Sequence, residues 1–462
     1  MKVSIKKFPV NLNNLLSGII FFIVVGFIFF IYSIDFSSLI LAVVLIAYAK
    51  FLREMEGFPS YINLSLIGMI AILSSLFTVL YFKISPYGIP AIGFAILVTI
   101  LFGNLEFSLI FSLFISFLGA SIDGGNFNLG VSLLIGSLVA AIFSLGARHR
   151  HQVIKAGLLG GAAQFITAFI MEREQSFFFL SSLDFSLFTT CILSGFVSSI
   201  VVVGVLPIFE YIFKVVTNIS LLELSDFNHP LLRRFILEAP GSYQHSLVVA
   251  NLSEAAAESI GANSLLTRVG AYYHDIGKLI KPEYFVENRI SYKDIHKDLK
   301  PSMSKLIIIN HIKEGVELAR KYRLNPRIID FITQHHGLTL VHYFYQKALG
   351  LKLQGENKEE YRYPGPKPQS KEIAIVALAD SIEALSRLLE EPTPSRIKEM
   401  VREVVKKRFM EGELDESHLT LKGLEKITQS FTHLLSALFH TRINYPKDDR
   451  NNKSAKDKED KS

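Results

Sequence analysis

The stretch Ala271-Tyr-Tyr-His-Asp-Ile-Gly-Lys278 sets a histidine directly before an aspartate. Together His274 and Asp275 offer one imidazole nitrogen and a carboxylate able to bridge two cations. His245, His311, the pair His335-His336 and Asp380 stand in the same half of the chain, completing seven nitrogen and oxygen ligands with no thiolate among them. Such a set suits manganese or iron better than a structural zinc. Two divalent ions held a few Å apart clamp the attacking and leaving oxygens of a phosphodiester, so these residues point to metal-dependent phosphodiester hydrolysis.

The elements that would position them are helical. Ser242 is expected to cap a helix running to about Ile260, with Gly261 beyond its end. Asn263 or Ser264 caps the next, which delivers His274-Asp275 near its C-terminus. Ser302 opens a helix through His311 to about Tyr322. Asn325-Pro326 is a cap followed by proline at the first helical position. Ser370 opens a helix carrying Asp380 amid Ile373, Val376, Ala377, Ile382 and Leu385, where an unpaired carboxylate would be costly and a metal would remove that cost. Two amphipathic helices, about 395–410 and 420–440, finish an all-α domain. A bundle of this kind can point ligands inward from several helices. Adjacent residues on a regular helix point about 100° apart, so His335 and His336 can both serve only at a frayed end, which Gly337 supplies. His229, His296, His342, His418, His433 and His440 lack such context and read as structural or surface residues.

The first half of the chain is different. Half of all residues are hydrophobic and 19% are charged, below the usual quarter of a soluble domain, and the charges are sparse before Ile208. Apolar segments fall near 15–32, 36–51, 61–83, 88–103, 105–122, 128–146, 153–171 and 185–208, giving about eight spans of a helical membrane domain. Lys2, Lys6, Lys7, Lys50, Arg53, the run Arg148 to Lys155, and Lys214 share one face, which is cytoplasmic under the positive-inside rule. His149 and His151 read there as orientation charges. Almost no ionisable group falls near mid-span, Asp35, Glu106, Asp123 and Asp184 all lying at expected ends, which argues against a transporter. Gly157 and Gly161 form a small-xxx-small pair for close helix packing. The single Cys191 excludes an intramolecular disulfide framework, and no dense basic block implies a nucleic acid polymer as partner. The domains expected are a cytoplasmic N-terminus (1–14), a transmembrane domain (15–216), a cytoplasmic all-helical domain (217–445) and a disordered charged tail (446–462).

His245, His274-Asp275 and Asp380 together resemble the HD-domain metal-dependent phosphohydrolases. Three longer strings are more specific: Glu238-Ala-Pro-Gly-Ser-Tyr-Gln-His-Ser246, Tyr273-His-Asp-Ile-Gly-Lys278 and Arg362-Tyr-Pro-Gly-Pro-Lys-Pro-Gln369. With the preceding membrane helices they are similar to the seven-transmembrane HD proteins of the PgpH type, which hydrolyse cyclic di-AMP to linear pApA. The likeness runs from about residue 36 to Pro446. It implies one metal held by His245, His274, Asp275 and Asp380, and a second by His311, His335 and His336, with Asp275 bridging. Asp275 and Lys278 would be catalytic, Lys278 by meeting a phosphate oxygen or assisting the leaving group; its bland alternative is a solvated lysine near a helix C-terminus. Two departures stand out. Family members commonly carry a large extracellular domain after the first membrane helix, whereas only Ser33 to Ser38 separates the first two spans here. The His pair is followed by Gly337-Leu-Thr339, not by the Gly-Tyr-Pro of the related cyclic di-GMP enzymes, which favours the adenine dinucleotide. Expected partners are a cyclic dinucleotide and the lipid bilayer, with a homodimer allowed, at the cell (inner) membrane. The rivals are hydrolysis of cyclic di-GMP or ppGpp, and a non-catalytic nucleotide-binding receptor.

Overall fold

The computed structural model describes residues 61–172, 182–289, 295–351 and 357–439. The expected spans 15–32 and 36–51, their short connection, the N-terminal lysines and the charged tail lie outside the described residues. Among those described, the fold is all-helical, with one isolated bridge between Leu340 and Arg362 and no β-strand. Contacts divide the chain into two compact units. The first reaches Asp226 and takes in Asn325–Arg327; the second holds Phe227–Leu324 and the chain from Ile328 onward.

The first unit contains α1 (Tyr61–Leu76), α2 (Ala91–Phe102), α3 (Leu105–Ile122), α4 (Phe127–Ser144), α5 (Arg150–Glu172), α6 (Ser182–Phe213) and α7 (Asn218–Leu224). Among the described residues, four segments are long and apolar enough to cross a bilayer: Leu105–Ile122, Phe127–Ser144, Arg150–Glu172 and Phe185–Phe213. The expected spans at 61–83 and 88–103 are shorter than anticipated. α1 gives way to a π-turn at Phe77–Tyr81. α2 is stopped by Gly103 in the left-handed conformation, and its 12 residues rise only about 18 Å. It is also buried on nearly every face, the signature of a core helix enclosed by its neighbours. Conversely α6 outruns its expected end at 208, continuing through Pro207 to Phe213, as apolar helices in lipid tolerate proline.

Asn104 and Asn126 cap α3 and α4, their side-chain oxygens accepting from the amides of Phe107 and Leu129. The pair Gly157 and Gly161 packs as expected. A Cβ on Gly157 would collide with the Gly195 carbonyl, and one on Gly161 would lie 2.6 Å from the Cys191 carbonyl. The absence of side chains therefore brings α5 and α6 into backbone contact. Large apolar side chains such as Ile166, Ile170, Val197 and Ile208 point outward; on a water-soluble surface that would be a liability, and against lipid it is the required face.

The second unit contains α8 (Pro230–Glu238), α9 (Pro240–Ile260), α10 (Ser264–Tyr273), α11 (Pro301–Lys321), α12 (Pro326–Gln334), α13 (His342–Gly350), α14 (Lys371–Ser386), α15 (Pro394–Met410) and α16 (Leu421–Leu438). Central α9 packs against α10, α14 and α16. Val249 and Leu252 of α9, Ile375 and Ile382 of α14, and Ile427 and Phe431 of α16 are all buried. Fully burying one such side chain stabilises by about 1.5–3 kcal/mol. Gly261 ends α9 with positive φ, Asn263 caps α10 and Ser370 caps α14. Ser242 does not cap α9. Proline already occupies the first helical position there, and the Ser242 hydroxyl donates instead to Glu287 at 2.8 Å.

Candidate metal centre

α10 ends at Tyr273, so His274 and Asp275 occupy the turn where the helix stops, and a 3₁₀ segment (Ile276–Ile280) follows. Gly277 lies just beyond that stop. Its α-carbon packs against the backbone of α11 at His311 and Gly315, leaving no room for any Cβ. The glycine thereby presses the aspartate of one segment against the histidine of another. α12 likewise ends at Gln334, and Gly337 follows with positive φ. The frayed end lets both His335 and His336 turn inward, their rings 4.0 Å apart.

All seven residues named from the sequence come together. Ligand atoms of His245, His274, Asp275 and Asp380 lie within 4.8 Å of one another, as do those of Asp275, His311, His335 and His336. Asp275 divides its carboxylate between the two groups. Oδ2 faces His274 Nε2 at 3.2 Å and His245 Nε2 at 3.7 Å. Oδ1 faces His311 Nε2 at 3.5 Å and His335 Nε2 at 3.8 Å. Asp380 spans the same divide, Oδ1 lying 3.0 Å from His245 Nε2 and Oδ2 3.6 Å from His336 Nδ1.

The outer nitrogens are already committed. Nδ1 of His274, His311 and His335 donates to the carbonyls of Ala271, Ile308 and Phe331, which directs each Nε2 inward as an acceptor, the tautomer a metal requires. His274 Nε2 and Asp275 Oδ1 are buried without a hydrogen-bond partner. Orphaned buried atoms of this kind are costly, and a divalent cation would satisfy both. The donor set therefore fits two hard or borderline divalent ions.

Burial alone would raise the Asp275 carboxyl, but Lys278, His274 and His311 outweigh it and hold it well below the usual carboxylate range. Burial pushes His335 down to about 3 and His336 well below its ordinary value, keeping both neutral. His245 differs. Burial lowers it, yet Asp380 and Glu383 raise it to about 10, so it holds a proton that a metal would displace. Lys278 is neither solvated nor free, as its bland alternative would have it. Its Nζ sits 2.8 Å from Asp275 Oδ2 and 2.8 Å from Glu287 Oε1.

Three residues of the site escaped sequence reading. Glu383 Oε2 accepts from His245 Nδ1 at 2.5 Å, while its Oε1 accepts from Arg387 at 2.6 Å. Glu287 pairs with Lys278. Tyr363 stacks on His336, with ring centroids 4.1 Å apart. Glu383 lies one helical turn beyond Asp380, so the i, i+3 spacing was its available signal.

Residues 14–217 match the family model described as a 7TM receptor with intracellular HD hydrolase, and residues 242–385 match the HD domain. The cyclic-di-AMP phosphodiesterase PgpH of Bacillus subtilis (strain 168) is 39% identical over 381 residues, covering 80% of this chain and 53% of that protein. PgpH of Listeria monocytogenes serotype 1/2a (strain 10403S) is 46% identical over 257 residues, covering 55% of this chain and 36% of the relative. The chain thus spans about half of the first relative's length and a third of the second's. A crystal structure of the L. monocytogenes PgpH HD domain in complex with cyclic-di-AMP is 44% identical, covers 46% of this chain and all of that one, and superposes with a TM-score of 0.45.

Proposed function

We propose, from the match of its two halves to the models for a 7TM receptor with intracellular HD hydrolase and for the HD domain, that the chain is a membrane-anchored, metal-dependent phosphodiesterase that opens cyclic di-AMP to linear pApA. The observation that carries the reading is the divided carboxylate of Asp275, one oxygen toward each histidine group. His245, His274, Asp275 and Asp380 would hold one ion, and His311, His335 and His336 the second with Asp275 shared. Manganese or iron suits the donors. When bound, two such ions supply Lewis-acid stabilisation of phosphoryl charge.

The remaining work falls to the chain itself. Asp275 and Asp380 hold the two histidine groups in register, and Lys278 fixes the rotamer of Asp275 from behind while Glu287 holds Lys278. In the reaction, water oxygen joins one phosphorus and the bond from that phosphorus to a ribose O3′ breaks. The released O3′ takes a proton, leaving a 5′-phosphate. Lys278 is engaged by two carboxylates, so we assign it to positioning Asp275 in place of direct contact with the leaving group.

For orientation, the basic run Arg148 to Lys155 supports a cytoplasmic HD domain at the inner membrane. The test uses the full chain in detergent, loaded with manganese or ferrous iron and incubated separately with cyclic di-AMP, cyclic di-GMP and ppGpp, alongside an EDTA control and His274→Ala. Metal-dependent pApA, abolished in the variant, is expected. Absence of pApA from the metal-loaded protein, or full activity in His274→Ala, would sink the proposal.

A further inference from the structure

We propose that the second unit carries a phosphate-binding pocket beside the metal centre, built from Lys358, Arg362, Lys407 and Arg408. These side chains line a cavity of about 410 Å³, a volume within the range of small-ligand sites, roughly 300–1,000 Å³. Against four cations it holds one carboxylate, Glu411. Arg362 is matched by Glu359 at 3.0 Å. The others have no such match. Among the described residues no carboxylate pairs with Lys358, Lys407 or Arg408, and the half-buried Arg408 donates only to the neutral Ser381 hydroxyl at 2.8 Å. Like charges converging on a concavity focus a positive potential there, and a phosphate group relieves it with charge-assisted hydrogen bonds.

The pocket is separate from the seven ligands, none of which lines it, yet it adjoins them through the backbone. Its wall residue Ser381 directly follows Asp380, and its wall residue Thr339 donates to the His336 carbonyl at 2.7 Å. Tyr345, Leu385 and Val404 add an aromatic and an apolar side. The chemistry is that of a phosphate ester attached to something flat or apolar. Two sources share it: the non-scissile phosphate of a bound cyclic dinucleotide, and a separate phosphorylated effector. Only the first rests on the proposed function.

The test begins without hydrolysis. Inorganic pyrophosphate is titrated calorimetrically into the full-length protein in EDTA, so that no metal competes, at low and at moderate salt. Binding that weakens with salt, and is reduced about tenfold or more in the exposed-site double variant Lys358→Ala/Lys407→Ala, is the expected result. Undetectable binding to the wild type, or equal binding by the variant, overturns the pocket whatever the enzyme's substrate. The kinetic arm then separates the sources. A raised KM for cyclic di-AMP with unchanged kcat in the variant assigns the pocket to the substrate's second phosphate. An unchanged KM with lost inhibition by pyrophosphate, assayed in excess metal, assigns it to an effector.

Discussion

Removing the Glu383 carboxylate will weaken metal binding although Glu383 is not itself a ligand. The pair it forms with His245 Nδ1 is short, at 2.5 Å, and buried. That bond fixes which nitrogen of His245 faces Asp380 and raises the basicity of the inward one. Outer partners of metal-ligating histidines are typically worth about 10–100-fold in affinity. Glu383→Gln keeps an acceptor for His245 but loses the charge, placing it near tenfold, or about 1.4 kcal/mol. Glu383→Ala removes acceptor and charge together, while the exposed Arg387 guanidinium returns to water; the loss belongs near 100-fold, or about 2.7 kcal/mol. The assay is calorimetric titration of manganese into the full chain in detergent, with circular dichroism to confirm that both variants are folded. A folded Glu383→Ala protein that binds manganese within about twofold of wild type would refute the idea that this carboxylate sets the His245 tautomer.

Gly277→Ala is expected to cost at least the roughly 1–3 kcal/mol of an overpacked site, because its methyl would overlap the His311 carbonyl and force Asp275 away from α11; thermal melting with and without manganese should show both lower stability and a smaller metal-induced shift. Tyr363→Phe keeps the ring on His336 and should bind manganese normally, whereas Tyr363→Leu loses a stack worth roughly 0.5–1.5 kcal/mol and should bind it correspondingly less well. The metal-free protein should lose stability as pH falls below about 6.5. There unfolded histidines take up protons, while burial holds His311, His335 and His336 neutral, His335 down to about 3. The unfolded state therefore binds more protons, and each such group costs about 1.4 kcal/mol per pH unit once the pH is well below 6.5. His245, with its raised value, acts in the opposite direction and only above that window. A denaturation midpoint in EDTA that stays level from pH 7 to pH 5 would count against the neutral packing.

Residue type and spacing picked out the seven side chains that the fold clusters, because each had to sit at a helix end or on an apolar helix, and both settings leave marks: Gly337 after the His pair, and Ile373 to Leu385 around Asp380. Glu383 left none. A glutamate four residues before an arginine reads as a surface ion pair, and only the fold shows that His245 arrives on its other oxygen. Glu287 was hidden for a similar reason, since its link to Lys278 depends on how the chain turns after Ile280. Hydropathy located the long membrane helices α3 to α6 well. It overextended α2, because a core helix and a lipid-facing one are equally apolar, and what separates them is length and the neighbours that cover them.

The lodging of Lys278 between Asp275 and Glu287 bears on the order in which the protein matures. A folded ligand cage without its ions usually suffers from its own uncompensated carboxylates. Here the lysine ammonium already balances the shared aspartate, and three histidines are pinned to backbone carbonyls. The cage is therefore expected to hold its fold without ions, at the cost of the unpartnered His274 Nε2 and Asp275 Oδ1, and a cooperative melt of the full chain in EDTA checks this. Removal of metal is then expected to leave a folded chain that binds metal again on reloading, with no need for a newly made one.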